Sequence, residues 1–220
     1  METSLNTIEI RVLGSLIEKE VTTPHYYPLT LNALTNACNL KNNRDPIVEF
    51  DETTVMRALE SLRNKTLVST ITGAGYRVQK FKHNFTTFYH VSHQEIVVMC
   101  LLMLRGPQTS GEIRNRSGSM HNFTTIEEID EVMNGLSTHV PPMVTKLAKG
   151  AGQKEARYAH LLAGVPSPAE IAQNLRPEKA VIQIQTETER ISRLEEQVKT
   201  LLEENKQLKE QFAQFKKQFE

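Results

Sequence analysis

The sequence predicts a mainly helical α+β protein with small β-hairpins, in which two similar units follow one another and a long amphipathic helix closes the chain. Two observations carry this expectation. A run of three apolar-striped helices followed by two short strands around a Gly-Ala-Gly turn occurs twice, with the turns opening at Gly73 and Gly150. From Ile191 onward, apolar residues recur in an unbroken 3,4 spacing.

The helix starts are legible as capping boxes. In this motif a short polar side chain satisfies an orphan N–H while a glutamate three residues on reaches back. The pattern occurs at Asn6/Glu9, Ser92/Glu95, Thr109/Glu112, Thr125/Glu128 and Ser167/Glu170. The first box opens a helix with Ile10, Leu13, Leu16 and Ile17 on one face. Residues 29–38, introduced by Pro28, read as the second helix; Asp51 caps a third, striped by Val55, Leu59 and Leu62. Residues 67–72 and 76–81 then read as strands, and alternation sends Tyr76 and Val78 inward and Arg77 and Gln79 outward. The second unit repeats the order. Helices at 95–104, 109–116 and 125–136, the last striped by Ile129, Met133 and Leu136, precede strands at 144–149 and 155–161.

A three-helix core followed by a two-stranded ribbon is the winged variant of the helix-turn-helix. The expected organisation is therefore two tandem winged-helix domains, residues 1–90 and 91–164. A linker with a short helix (165–182) and a coiled-coil helix (183–220) follow. In the last segment Ile191, Leu194, Val198, Leu201, Asn205, Leu208, Phe212 and Phe215 occupy alternating a and d positions. A lone Asn at an a position favours a two-stranded parallel register, so a homodimer is expected. The alternative is an amphipathic helix folded back on its own body.

Composition narrows the function classes. Lys+Arg and Asp+Glu each total 26, so any electrostatic footprint must be local. The longest apolar run, residues 96–104, is far short of the ~20 residues that span a bilayer, and no membrane association is expected. The opening residues lack a leader pattern, and Cys38 and Cys100 form no CxxC pair, which together suggest buried thiols in a cytoplasmic protein.

The run Ile17-Glu18-Lys19-Glu20-Val21-Thr22-Thr23-Pro24, the run from Tyr27 to Leu34, the segment Lys41-x-Asn43-Arg44-x-Pro46 and the stretch from Met103 to Glu112 resemble the bacterial YceH family. The similarity covers residues 5–162. It implies tandem winged-helix domains and brings no activity with it.

Catalytic motifs are not apparent: there is no GxSxG, P-loop, GxGxxG or HExxH. His90 and His93 are spaced to approach a metal, but no cysteine stands at ligand spacing and the nearest carboxylate, Glu95, is committed to a cap. The expectation is a non-enzyme without metal or cofactor. Charge patterning points instead to duplex DNA. In a winged helix the third helix enters the major groove and the ribbon flanks it. Lys41, Asn43 and Arg44 lie in the loop before that helix, Thr53, Thr54 and Arg57 on it, and Arg77 and Lys80 in the ribbon. A single surface cation is ordinarily just solvated, so the clustering carries the reading. Glu52 and Glu60 oppose it. The second unit has Glu127, Glu128, Asp130 and Glu131 on its third helix, which suits packing or a protein partner better than phosphate. A dimeric DNA-binding transcriptional regulator is thus the first expectation, and a protein-interaction scaffold the second.

Overall fold

The computed structural model describes residues 4–73, 78–149 and 155–165. The chain divides into two units, Met1–Asn174 and Leu175–Glu220, and all described residues belong to the first. The expected linker, the cap at Ser167 and the heptad row from Ile191 to Phe215 lie outside the described residues, as do Arg77 and most of both Gly-Ala-Gly turns.

The described architecture is mixed α+β, with helices and two small antiparallel sheets. Its elements are α1 (Thr7–Thr22), β1 (Leu29–Thr30), α2 (Leu31–Cys38), α3 (Glu52–Asn64), β2 (Val68–Ile71), β3 (Lys80–His83), α4 (Phe85–Tyr89), α5 (His93–Arg105), α6 (Ser110–Arg116), α7 (Ile126–Thr138), β4 (Val144–Lys146) and β5 (Tyr158–His160). Capping chemistry sets the starts of α1, α5 and α6, where both halves of the box form at Asn6, Ser92 and Thr109. At Thr125 only half forms. The Thr125 hydroxyl accepts from the Glu128 N–H, while the Glu128 carboxylate takes the N–H of Thr124 at 3.0 Å.

The expected repeat is present in the element order and is richer by one strand. The two residues of β1, expected to be helical, pair with β3, giving sheet order β1–β3–β2. In the second copy Gln108 forms a two-way bridge with Tyr158 of β5, with N···O distances of 3.0 and 2.8 Å. Each copy therefore runs helix, short strand, helix, helix, strand, strand.

The first hairpin departs from expectation in register. Ile71 faces Lys80 and Val68 faces His83, so the paired ladder ends at Ile71 and Lys80. Phe81 and His83 turn inward, at 3% and 7% exposure, whereas Val78, expected in the core, is 58% exposed. Burying a phenylalanine gains about 1.5–3 kcal/mol, more than the smaller Val78 can offer, and this fixes which strand face is inside. The second ribbon is likewise shorter than expected: its ladder runs from Val144 opposite His160 to Lys146 opposite Tyr158.

One hydrophobic cluster runs through both copies, from Leu5 to Leu162. Helix α1 is buried from Glu9 to Glu18 because α2 and α3 cover one side and α5 the other. At the α1–α5 crossing Gly14 permits close approach: a Cβ there would stand 3.0 Å from Leu104 Cδ2 and 3.2 Å from Met103 Cβ. The Cys100 thiol donates to the Gly14 carbonyl at 3.4 Å, and the Leu5 N–H donates to the Leu162 carbonyl at 2.7 Å. Both cysteines are free and buried, and burial pushes Cys38 up to about 11 and Cys100 further in the same direction. No helix among the described residues is long and apolar enough to cross a membrane.

Candidate nucleic-acid interface

The site is organised by α3. Asp51 caps it, accepting from the Thr54 N–H at 2.8 Å, and the hydrogen bonds from Thr54 hold the Asp51 carboxyl below its ordinary value. Val55, Leu59 and Leu62 are buried as expected, which leaves Thr53, Arg57, Glu60 and Asn64 as an exposed row on the opposite side. The loop entering α3 is clamped by Asn39, whose side-chain amide both donates to the Phe50 carbonyl and accepts from the Phe50 N–H, each at 2.8 Å.

Beneath that loop lies a buried polar cluster that the sequence reading missed. Arg44 is 4% exposed and its guanidinium is committed inward. It donates to Glu18 Oε1 at 3.0 Å, to Glu18 Oε2 at 2.6 Å and to the Ala37 carbonyl at 2.9 Å. Arg11, also buried, donates to the Cys38 and Pro46 carbonyls. Arg44 is therefore withdrawn from the proposed DNA contacts: a guanidinium spent on a carboxylate and a carbonyl inside the core cannot reach phosphate. A signal was available in the sequence. Arg11, Ser15 and Glu18 share one face of α1, beside the apolar stripe of Ile10, Leu13, Leu16 and Ile17.

The other expected contacts are placed as follows. Lys41, Thr53 and Arg57 are exposed. Asn43 is exposed in the left-handed region at φ 63°, and its side-chain oxygen accepts from Arg105. Thr54 is half-buried against its cap, and Lys80 is half-buried in β3 opposite Thr30 and Ile71. Between α3 and the sheet runs a groove of about 270 Å³ lined by Met56, Leu59, Glu60, Arg63, Thr70, Gln79 and Phe81. Lys65, off the stripe of α3, is spent at the far end, where it reaches both Glu9 oxygens at 2.7 and 2.8 Å.

On the second copy, Glu127, Asp130 and Glu131 of α7 are exposed, so the acidic row faces outward as expected. Arg157, just before β5, is tied down within the second copy. It bridges both Glu112 oxygens at 2.7 and 3.0 Å and donates to the Pro107 carbonyl at 2.8 Å. His83 stands 2.7 Å from Glu20 through Nε2, while its Nδ1 accepts from the Phe85 N–H. Among the described residues no group of three His, Cys, Asp or Glu is placed to hold a metal ion.

Residues 5–153 match a family described as "Protein of unknown function, DUF480". The chain is 48% identical over 197 residues to a UPF0502 protein of Geotalea uraniireducens, covering 90% of each chain. It is 45% identical over 195 residues to a UPF0502 protein of Geobacter sulfurreducens, covering 89% of each. It is also 50% identical over 161 residues to a UPF0502 protein of Opitutus terrae, covering 73% of this chain and 70% of the relative.

Proposed function

The chain belongs to the DUF480 family, and we propose that it is a dimeric DNA-binding protein, a transcriptional regulator that meets duplex DNA mainly through its first repeat. The reading rests on one observation. Helix α3 buries one row against the core and presents Thr53, Arg57 and Asn64, with Glu60 among them, on the other, in the same repeat as the three-stranded sheet β1–β3–β2. The order α1–β1–α2–α3–β2–β3 with sheet order β1–β3–β2 fits the winged helix-turn-helix expected of the sequence and lends support to the same reading, as does the resemblance to the YceH family. Without Arg44, the proposed contacting set is Lys41, Asn43, Thr53, Thr54, Arg57, Arg77 and Lys80. In the sequence, the heptad row around Asn205 would pair two such modules on half-sites about one helical turn, or a multiple of it, apart.

Fluorescence anisotropy with a generic duplex at low and moderate salt tests this. The wild type is expected to bind with steep salt dependence, and a Lys41→Ala/Arg57→Ala/Arg77→Ala variant to lose most of that binding. Equal binding by both proteins, or none by either, would remove the reading. A protein-interaction scaffold is then the alternative, favoured by the exposed carboxylates Glu127, Asp130 and Glu131 on α7, which fit a basic protein partner.

A further inference from the structure

A second cationic cluster lies where the two repeats meet, and the DNA reading does not use it. The end of α5, the turn after α6, α1 and the loop into α3 enclose a small pocket lined by Glu18, Asn43, Arg105, Arg116, Ser119 and Met120. Among the described residues that line it Glu18 is the only carboxylate, and Arg44 already takes both of its oxygens. Arg105 and Arg116 are half-buried, and neither forms an ion pair with a carboxylate among the described residues. Arg105 donates to the Asn43 side chain and Arg116 to Gln108 Oε1 at 2.9 Å, both neutral acceptors.

Two guanidinium groups sharing one partly dehydrated pocket repel, and charges removed from water are ordinarily paired. We propose that Arg105 and Arg116, with Asn43 and Ser119 at the mouth, bind a phosphate group, either the free ion or the ester of a small molecule. The planar forks of arginine match phosphate oxygens, and the hydroxyl and amide add donors. The space is of the right size for a group rather than for a whole metabolite. Its interior is about 10 Å³, near the lower limit for one water-sized oxygen, so the remaining oxygens would lie at the mouth beside the exposed Asn43 and Ser119. Burial first, then the positive charges of Arg116 and Arg44, bring Arg105 down to about 10, with the charge of Glu18 only partly opposing them.

The test uses the full chain and inorganic phosphate, with sodium chloride at matched ionic strength as the reference. Phosphate in 100-fold excess over its Kd is expected to raise the wild-type Tm by on the order of 5 °C above the chloride control, and to broaden the phosphorus resonance of the free ion. Arg105→Gln should lose both effects while keeping or gaining stability in chloride, because repulsion is relieved. Arg114→Gln, which alters an exposed arginine outside the pocket, should behave as the wild type. A nucleoside monophosphate forms the second arm: binding at least as tight as phosphate assigns an ester ligand, and selective binding of phosphate assigns the ion. If the wild type responds alike to phosphate and chloride, or Arg105→Gln responds as the wild type does, the site is refuted. Should Arg105→Gln fold poorly, Arg105→Lys and the wild-type resonance decide the matter, since a lysine keeps the charge but not the fork.

Discussion

Glu18 and Arg44, 26 residues apart, meet as a two-point ion pair at 3.0 and 2.6 Å inside the first repeat. The pair anchors the loop that enters α3 to α1, which is buried from Glu9 to Glu18. Removing one partner strands the other charge in the core, so Arg44→Ala is expected to destabilise the protein by about 3–5 kcal/mol in urea unfolding. A loss below about 1 kcal/mol would mean that the pair is solvated and the loop anchored elsewhere.

The same pair gives the stability a pH dependence. Burial pushes the Glu18 carboxyl up, but the hydrogen bonds and charge of Arg44 outweigh it and leave the group below its ordinary 4.5. Glu9 is lowered against burial by Lys65, and Glu20 chiefly by its hydrogen bond to His83. Groups with depressed folded values contribute stability that is complete above the unfolded value and lost as pH falls through the folded one. Unfolding free energy should therefore hold near neutrality and fall below pH 4.5, by at most about 1.4 kcal/mol per pH unit for each carboxylate. Denaturant titrations from pH 6 to about 3 with an unchanged midpoint would contradict this.

Gly14 sets the spacing of α1 and α5. A methyl group there meets Leu104 at 3.0–3.1 Å, so Gly14→Ala sets a mild clash against a helix-propensity gain of about 1 kcal/mol and should be close to neutral. Gly14→Val has no such compensation and should cost about 1–3 kcal/mol, read as a lowered Tm. A neutral valine would show that the two repeats are not held by this crossing.

If α3 meets phosphate, Arg57→Ala should weaken DNA binding on every sequence and reduce the salt slope by about 0.9, without changing the unfolding midpoint. The exposure of Arg57, against the burial of Arg44, is what separates a contact residue from a structural one.

Neutralising the α7 row offers the opposite sign. Glu127→Gln/Asp130→Asn/Glu131→Gln should leave DNA affinity unchanged or raise it, since exposed carboxylates repel phosphate at short range. A loss of affinity would implicate α7 in the DNA interface. Ser110 donates to Asp130 at 2.6 Å, so the stability of this variant should be checked alongside.

The sequence by itself determined where α1, α3, α5, α6 and α7 begin. Asn6, Asp51, Ser92, Thr109 and Thr125 each satisfy orphan N–H groups within a few residues, and local chemistry of this kind needs no knowledge of the fold. It also determined the two-fold repetition of the element order and the buried stripes of α3 and α7. Tertiary structure decided the rest, because each remaining feature depends on a partner distant in the chain. Strand β1 exists only because β3 offers it a ladder, and the inward face of β3 follows from where Phe81 finds cover. Whether an arginine is a surface contact or a core strut was settled by which carboxylate reached it: Glu18 claimed Arg44, Glu112 claimed Arg157, and Arg105 was left with an amide. Charge in the sequence names the candidates, but burial and pairing assign their roles.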